Sequence, residues 1–212
     1  MPSALARDVR AVAVIEFGLS LPLFLGFVLA GIEMSNYVLA NNKTQRLAAM
    51  TSDLVAQSGV GRIGVTEGQI YDLFSAVDLT AKPYDIRRHG RVVITAVKGT
   101  DQDNNRAVEN RILWQRFDGD YVAAAPSLGC AGTTPLAVFP TGRTLPLDEV
   151  VFHVQVSYAY QPVFSDLPFR WLSLPTYFTR TAMFRARNTE FQVPTPDANF
   201  PPKSRCSTPT GL

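Results

Sequence analysis

From Ala11 to Ile32 the chain reads AVAVIEFGLSLPLFLGFVLAGI, a run of 22 residues whose one charge is Glu16. As a helix it would rise about 33 Å, enough to cross the roughly 30 Å hydrocarbon core of a bilayer. No second stretch of the 212 residues matches it, so the sequence predicts one membrane segment with about 180 residues beyond it and excludes a multi-span transporter. Arg7 and Arg10 stand ahead of the run against Asp8, whereas the first charge after it is Glu33 and the next basic residues are Lys43 and Arg46. The positive-inside bias therefore predicts a cytoplasmic N-terminus and an exported C-terminal bulk. Hydrophobic residues make up 46% of the chain, which suffices for a real core and excludes wholesale disorder. A net charge of only +2 argues against a general nucleic-acid binder.

A secretory signal peptide is the competing reading, with Val28-Leu29-Ala30 ahead of Gly31 as its cleavage site. An apolar signal core spans about 7 to 15 residues, however, and this run is longer and carries an acid near its start. The helical pattern also continues through Glu33 to Gln57, with Leu47, Met50, Leu54 and Val55 spaced to share one face. The run is thus the first half of one long helix, membrane-spanning over residues 11–32 and amphipathic beyond. Pro22 removes the backbone hydrogen bond to Gly18 and predicts a bend there.

Glu16 is the second constraint. A carboxylate this far inside an apolar run costs a few kcal/mol even on lenient insertion scales, so it needs a cationic or hydrogen-bonding partner. Snorkelling toward the cytoplasmic headgroups, beside Arg10, is the alternative. The run Ala11-Val12-Ala13-Val14-Ile15-Glu16-Phe17, followed by an apolar helix with Pro22, resembles the N-terminus of TadE/TadG-like proteins, pilin-like components of the tight-adherence (Tad/Flp) pilus assembly system. The resemblance implies a prepilin peptidase cut between Ala11 and Val12, leaving Glu16 fifth and Phe17 sixth in the mature chain. Ala11 stands where that family usually has glycine. It implies assembly roles for Glu16, Phe17 and Pro22, and as partners other pilin-like subunits, the pilus assembly platform and the membrane. A freed amino group on Val12 could pair with a Glu16 carboxylate of the same or a neighbouring subunit, which would set axial register.

Past the long helix the pattern changes. Gly59, Gly61 and Gly64 are expected to end it, and Thr66 with Gln69 forms a capping-box start for a short helix through Ile70, Leu73, Phe74 and Val77. Lys82 to Gly90 reads as a turn region. Arg91 to Lys98 and Ala107 to Phe117 read as a hairpin around the polar loop Gly99 to Asn105. Alternation from Val150 to Tyr160 marks the clearest strand, with His153, Gln155 and Ser157 on its polar side, and Tyr177 to Arg187 supplies a fourth. The expected fold is α+β and pilin-like: a long N-terminal helix packed on an antiparallel sheet of about four strands. Val156 to Phe164 and Thr179 to Asn188 also resemble the closing strands of TadE/TadG-like proteins. The loop from Asp118 to Asp148 is expected to run across the surface.

Residues 1–10 are thus read as a cytoplasmic leader, 11–32 as the span, 33–192 as the exported α+β domain and 193–212 as a proline-rich extended tail. An oxidising exterior would permit a disulfide between Cys130 and Cys206, tying the tail to the long loop; two unrelated thiols are the alternative. No catalytic constellation is visible: His89 lies in a turn, His153 is expected half-exposed on a strand, and HExxH, CxxC and phosphate-loop patterns are missing. No metal or other cofactor is expected. Arg170, Arg180, Arg185 and Arg187, with Phe169, Trp171 and Phe184, read as a solvated sheet face, not a polynucleotide site. Two functions compete. One is a non-enzymatic minor pilin or assembly component of a Tad/Flp-type pilus, single-pass in a bacterial inner membrane with a periplasmic C-terminal domain. The other is a membrane-anchored periplasmic enzyme or ligand-binding domain.

Overall fold

The structure, a computed structural model, describes residues 9–58, 65–101, 108–132, 136–187 and 193–212, with side chains from Val12 onward. Gly59, Gly61 and Gly64, most of the hairpin loop and the leader before Val9 lie outside the described residues. Helix α1 spans Val9–Gln57, α2 Glu67–Ala81, α3 Ile86–His89 and α4 Leu167–Trp171; strands are β1 Gly90–Thr100, β2 Glu109–Asp118, β3 Val150–Ala159 and β4 Tyr177–Arg185. The chain forms two compact units, one comprising the chain through Leu39 with Gln161–Pro175, the other Ala40–Tyr160 with Thr176–Leu212.

In the second unit the four strands form an antiparallel sheet in the order β2-β1-β3-β4. The C-terminal part of α1 packs on this sheet, and the stripe it buries differs from the expected one. Leu47 and Val55 are buried, but Leu54 is 39% exposed, and the remaining buried positions are Ala40, Thr44, Ala48, Thr51, Ser52 and Ala56. These recur every three or four residues, so they form one helix face. Small side chains let the helix axis lie close to the strands, close enough for Ser52 Oγ to donate to the Phe152 carbonyl at 3.1 Å.

Helix α2 begins at the expected capping box: Gln69 N donates to Thr66 Oγ1 at 3.2 Å and Thr66 N donates to Gln69 Oε1 at 3.1 Å. Its Ile70, Phe74, Val77 and Ala81 face inward, at helical spacing. The turn region before β1 contains one helical turn, α3, started by Asp85 accepting from Arg88 N at 2.9 Å. Strand β1 runs to Thr100, past the expected Lys98, and a bulge at Leu113 lets Ala96 pair with Trp114 and Val97 with Ile112. Strand β3 stops at Ala159 and β4 at Arg185, so Gln161 to Phe164 do not continue the strand as expected.

The second sheet face overturns the expectation that His153 is half-exposed. His153, Gln155 and Ser157 are 6%, 2% and 1% exposed, and the described residues of the segment from Gly119 to Asp148, 119–132 and 136–148, pack over this face as an irregular layer. That segment contributes Leu128, Ala137, Phe139 and Leu145 to a hydrophobic cluster with Val97, Ile112 and Val151. Coil cannot satisfy its own backbone groups, so covering a sheet with coil requires polar side chains beneath it. Gln155 accepts from Ser127 N at 2.7 Å and donates to the Ala125 carbonyl at 2.9 Å. Gln115 likewise donates to the Gly129 carbonyl at 2.8 Å and accepts from Ala131 N at 2.8 Å. Asn110 accepts from Leu145 N and donates to the Arg143 carbonyl, each at 2.8 Å. The polar alternation that resembles a wet face is a set of backbone hooks.

The proline-rich C-terminus is extended but fastened along its length. Thr195 N donates to the Val65 carbonyl at 2.8 Å, Tyr71 Oη to the Pro201 carbonyl at 2.7 Å, and Phe117 N to the Lys203 carbonyl at 2.9 Å. The Lys203 ammonium is buried against the Asp118 carboxylate, 4.7 Å from the centre of the Tyr71 ring and 5.4 Å from that of Phe74. Cys206 is bonded to Cys130, with Cα atoms 6.0 Å apart. Gly211, at φ +77°, closes this strap: a Cβ there would stand 2.6 Å from the Lys203 carbonyl oxygen.

Candidate functional site

The first unit is built on the N-terminal part of α1. The most apolar 18-residue window of that helix has no buried share, and Val14, Phe17, Leu19, Leu23, Phe24 and Phe27 are all more than 60% exposed. An apolar surface of this extent is not tolerated in water and marks a membrane or partner-binding face. The helix is long and apolar enough to cross a membrane and fits a single-pass protein. It stays continuous through Pro22. Glu16 lies on the bare part, exposed, and among the described residues no hydrogen bond or ion pair reaches it. Phe17 is 64% exposed beside it. The side chain of Ala11 and everything before Val9 lie outside the described residues, and with them the surroundings of the Ala11-Val12 bond.

A second carboxylate, Glu33, is treated differently. It is 1% exposed, and its oxygens accept from Val163 N at 3.2 and 3.1 Å and from Phe164 N at 2.9 Å. One turn later Tyr37 donates to the Pro175 carbonyl at 2.9 Å and its ring lies 5.2 Å from that of Phe169. Helical spacing puts Glu33 and Tyr37 on one face, and together they hold both ends of the segment Gln161–Pro175. Between these ends Ser165 Oγ accepts from Leu167 N at 3.1 Å at the start of α4, and Leu174 N donates to the Phe169 carbonyl at 2.9 Å at its close. The segment and helix enclose an open groove of about 780 Å³ whose lining includes Pro22, Gly26 and Ala30 from α1 and Phe164, Leu167 and Trp171 from the segment. Pro22, Gly26 and Ala30 recur every four residues on one helix face, and Leu23, Phe27 and Leu29 complete this apolar wall of the groove.

Of the site residues expected from sequence, Pro22 lines the groove, while Glu16 and Phe17 do not. Cys130 and Cys206 belong to the sheet-bearing unit. The residues of the expected arginine face are divided between the two units, so they are not all on the sheet: Phe169, Arg170 and Trp171 are in α4 of the first unit, whereas Arg180, Phe184 and Arg185 are on β4 of the other. Arg185 instead reaches Glu149 at 3.6 Å, and Arg187 reaches Asp53 at 3.8 Å. Glu33 as a structural ligand for backbone amides was not anticipated. Its signal was available in an acid placed directly after the apolar run, beside a proline-bracketed apolar stretch, QPVFSDLPFRWLSLP, that fits neither neighbouring strand.

His153 is buried, and desolvation lowers its pKa to about 4, so it is a neutral core residue and not the half-exposed one expected. Burial likewise raises the Tyr158 phenol to about 12. A cavity of about 310 Å³ is lined by residues including Tyr121, Ser127, Gln155 and Thr179, with no carboxylate, histidine or thiol among its described lining residues. Among the described residues no cluster of His, Cys, Asp and Glu could hold a metal ion.

The family model for TadE-like protein matches residues 11–53, the apolar half of α1 and most of its packed half. The resemblance read from Ala11 to Phe17 therefore extends well into the sheet-bearing unit, and it associates the chain with Tad pilus assembly. No curated protein and no solved structure matches the chain.

Proposed function

With the TadE-like match over residues 11–53 as the premise, we propose that the chain is a minor pilin or pilin-like assembly component of a Tad/Flp-type pilus. It acts through its membrane helix and through subunit contacts, and it does no chemistry of its own. The observation that carries this reading is Glu16, a carboxylate on an apolar helix whose exposed surface provides it no partner among the described residues. Holding such a charge at membrane depth costs about 3 kcal/mol. A cationic partner 4 Å away in a protein-like environment returns about 4 kcal/mol, so pairing on assembly reverses the sign. If prepilin peptidase cuts between Ala11 and Val12, the new Val12 ammonium supplies that partner; otherwise a basic group of the assembly platform does. In this reading the N-terminus is cytoplasmic, the sheet-bearing unit is periplasmic, and the Cys130-Cys206 bond belongs to that oxidising compartment.

The test is pilus assembly in cells carrying Glu16→Ala or Glu16→Gln, with membrane levels of the chain measured alongside. We expect assembly to fall at least about tenfold, in keeping with loss of an interaction of about 1.4 kcal/mol or more, while membrane levels hold. Unchanged assembly with either variant would refute the proposal and leave the sheet-bearing unit to be sought as an anchored binding domain. The intact mass of the membrane-extracted protein reports processing: a chain that starts at Val12 has been cut as a pilin.

A further inference from the structure

We propose that the segment Gln161–Pro175 is a second membrane element that dips into the outer leaflet beside α1 and fixes the depth at which the helix sits. This inference rests on the reading that residues 11–32 span the bilayer. The segment shares a groove with Pro22, Leu23, Gly26, Phe27 and Ala30, which lie in the outer half of that span. A segment in contact with those residues cannot stand in bulk water while they stand in hydrocarbon.

Its outward surface suits that position. Trp171 is 92% exposed, and Val163, Leu167 and Leu172 are 66%, 61% and 60% exposed, with Phe164 at 53%. Trp171 protrudes instead of filling a recess, as expected of a tryptophan at the headgroup level and not of one awaiting a complementary pocket. The ionisable side chains of the segment are one of each sign, Asp166 and Arg170, and the arginine stem is long enough to carry its charge to phosphate.

The backbone is prepared for low water as well. Irregular chain enters a membrane only where its polar groups are satisfied from within the protein. Val163 and Phe164 donate to Glu33, and Leu167 donates to Ser165 Oγ. Arg170, Leu172, Ser173 and Leu174 donate to carbonyls of Asp166, Pro168, Arg170 and Phe169. Pro162, Pro168 and Pro175 have no N–H to satisfy. Glu33 completes the arrangement at the outer end of the span, where its carboxylate serves the amides at the segment's start and is itself removed from solvent.

The measurement is tryptophan fluorescence of the full chain in phosphatidylcholine vesicles, comparing native protein with Trp171→Phe so that the difference isolates Trp171 from Trp114. We expect this difference signal to lose most of its intensity in vesicles brominated near the headgroup end of the acyl chains, and little to aqueous iodide. Flotation after alkaline extraction is scored on the same sample. If the chain floats but iodide quenches Trp171 and bromine does not, the loop is in water and this inference fails while the span stands. If the chain floats and neither reagent quenches, another protein surface covers the loop and the inference also fails. A chain that does not float overturns both.

Discussion

Acidification should destabilise the sheet-bearing unit through His153, and the size follows from its burial. The folded protein holds this imidazole at a pKa of about 4, by desolvation, against 6.5 when exposed. The unfolded chain therefore takes up the proton first, and stability falls as pH drops through the window from the unfolded value to the folded one. Across the whole window a shift of roughly 2.5 units corresponds to about 3.4 kcal/mol. Between pH 7 and pH 5 the loss is about 2 kcal/mol, or roughly 4 to 8 °C in melting temperature for a chain of this size. Urea unfolding of the full chain in detergent at the two pH values measures it, with His153→Gln as the comparison. That variant removes the titrating group and leaves His89 in place, so its stability should vary less between the two pH values by about the same 2 kcal/mol. An equal pH dependence in both proteins, or a His153 ring proton resonance that titrates near the ordinary histidine value in the folded state, would falsify the assignment of this residue to a dry layer under the coil.

Reducing Cys130-Cys206, which closes a span of 76 residues, should lower stability by up to about 4.5 kcal/mol by the chain-entropy relation. Denaturation with and without reductant checks the value, and amide exchange at Phe117, which donates to Lys203, should speed up first. Glu67→Gln should destabilise by about 3 to 5 kcal/mol, because it leaves Arg116 charged and buried without its carboxylate. Replacing both Glu67 and Arg116 by methionine should be milder than Glu67→Gln alone; a double variant no more stable than the single one would contradict the pairing.

Much of the architecture was readable because it is local. The length of α1 to Gln57, the Thr66/Gln69 capping box and the β3 alternation depend on neighbours within a turn or a strand, and each stands where the sequence puts it. The helix face that packs was misread at Leu54 because pattern reading weighs apolarity, whereas close approach to a sheet selects small side chains such as Ala48, Thr51 and Ser52. The arginine grouping failed for a similar reason: Arg170 and Arg180 are near in sequence, but the chain changes unit between them.

What the sequence determined by itself is the membrane-length apolar helix with one acid in it, since no partner or packing is needed to make 22 such residues unsuited to water. Tertiary structure alone decided the fate of the polar positions. Gln115, Gln155 and His153 alternate with apolar residues as a wetted face would, and they are dry because a distant coil, strapped by the C-terminus, lies over them. Glu33 and Glu16 are the same residue type on one helix, yet the former is enclosed by backbone amides more than a hundred residues away. Alternation and charge report how a side chain interacts with its medium, and only the folded chain determines whether that medium is water, lipid or backbone.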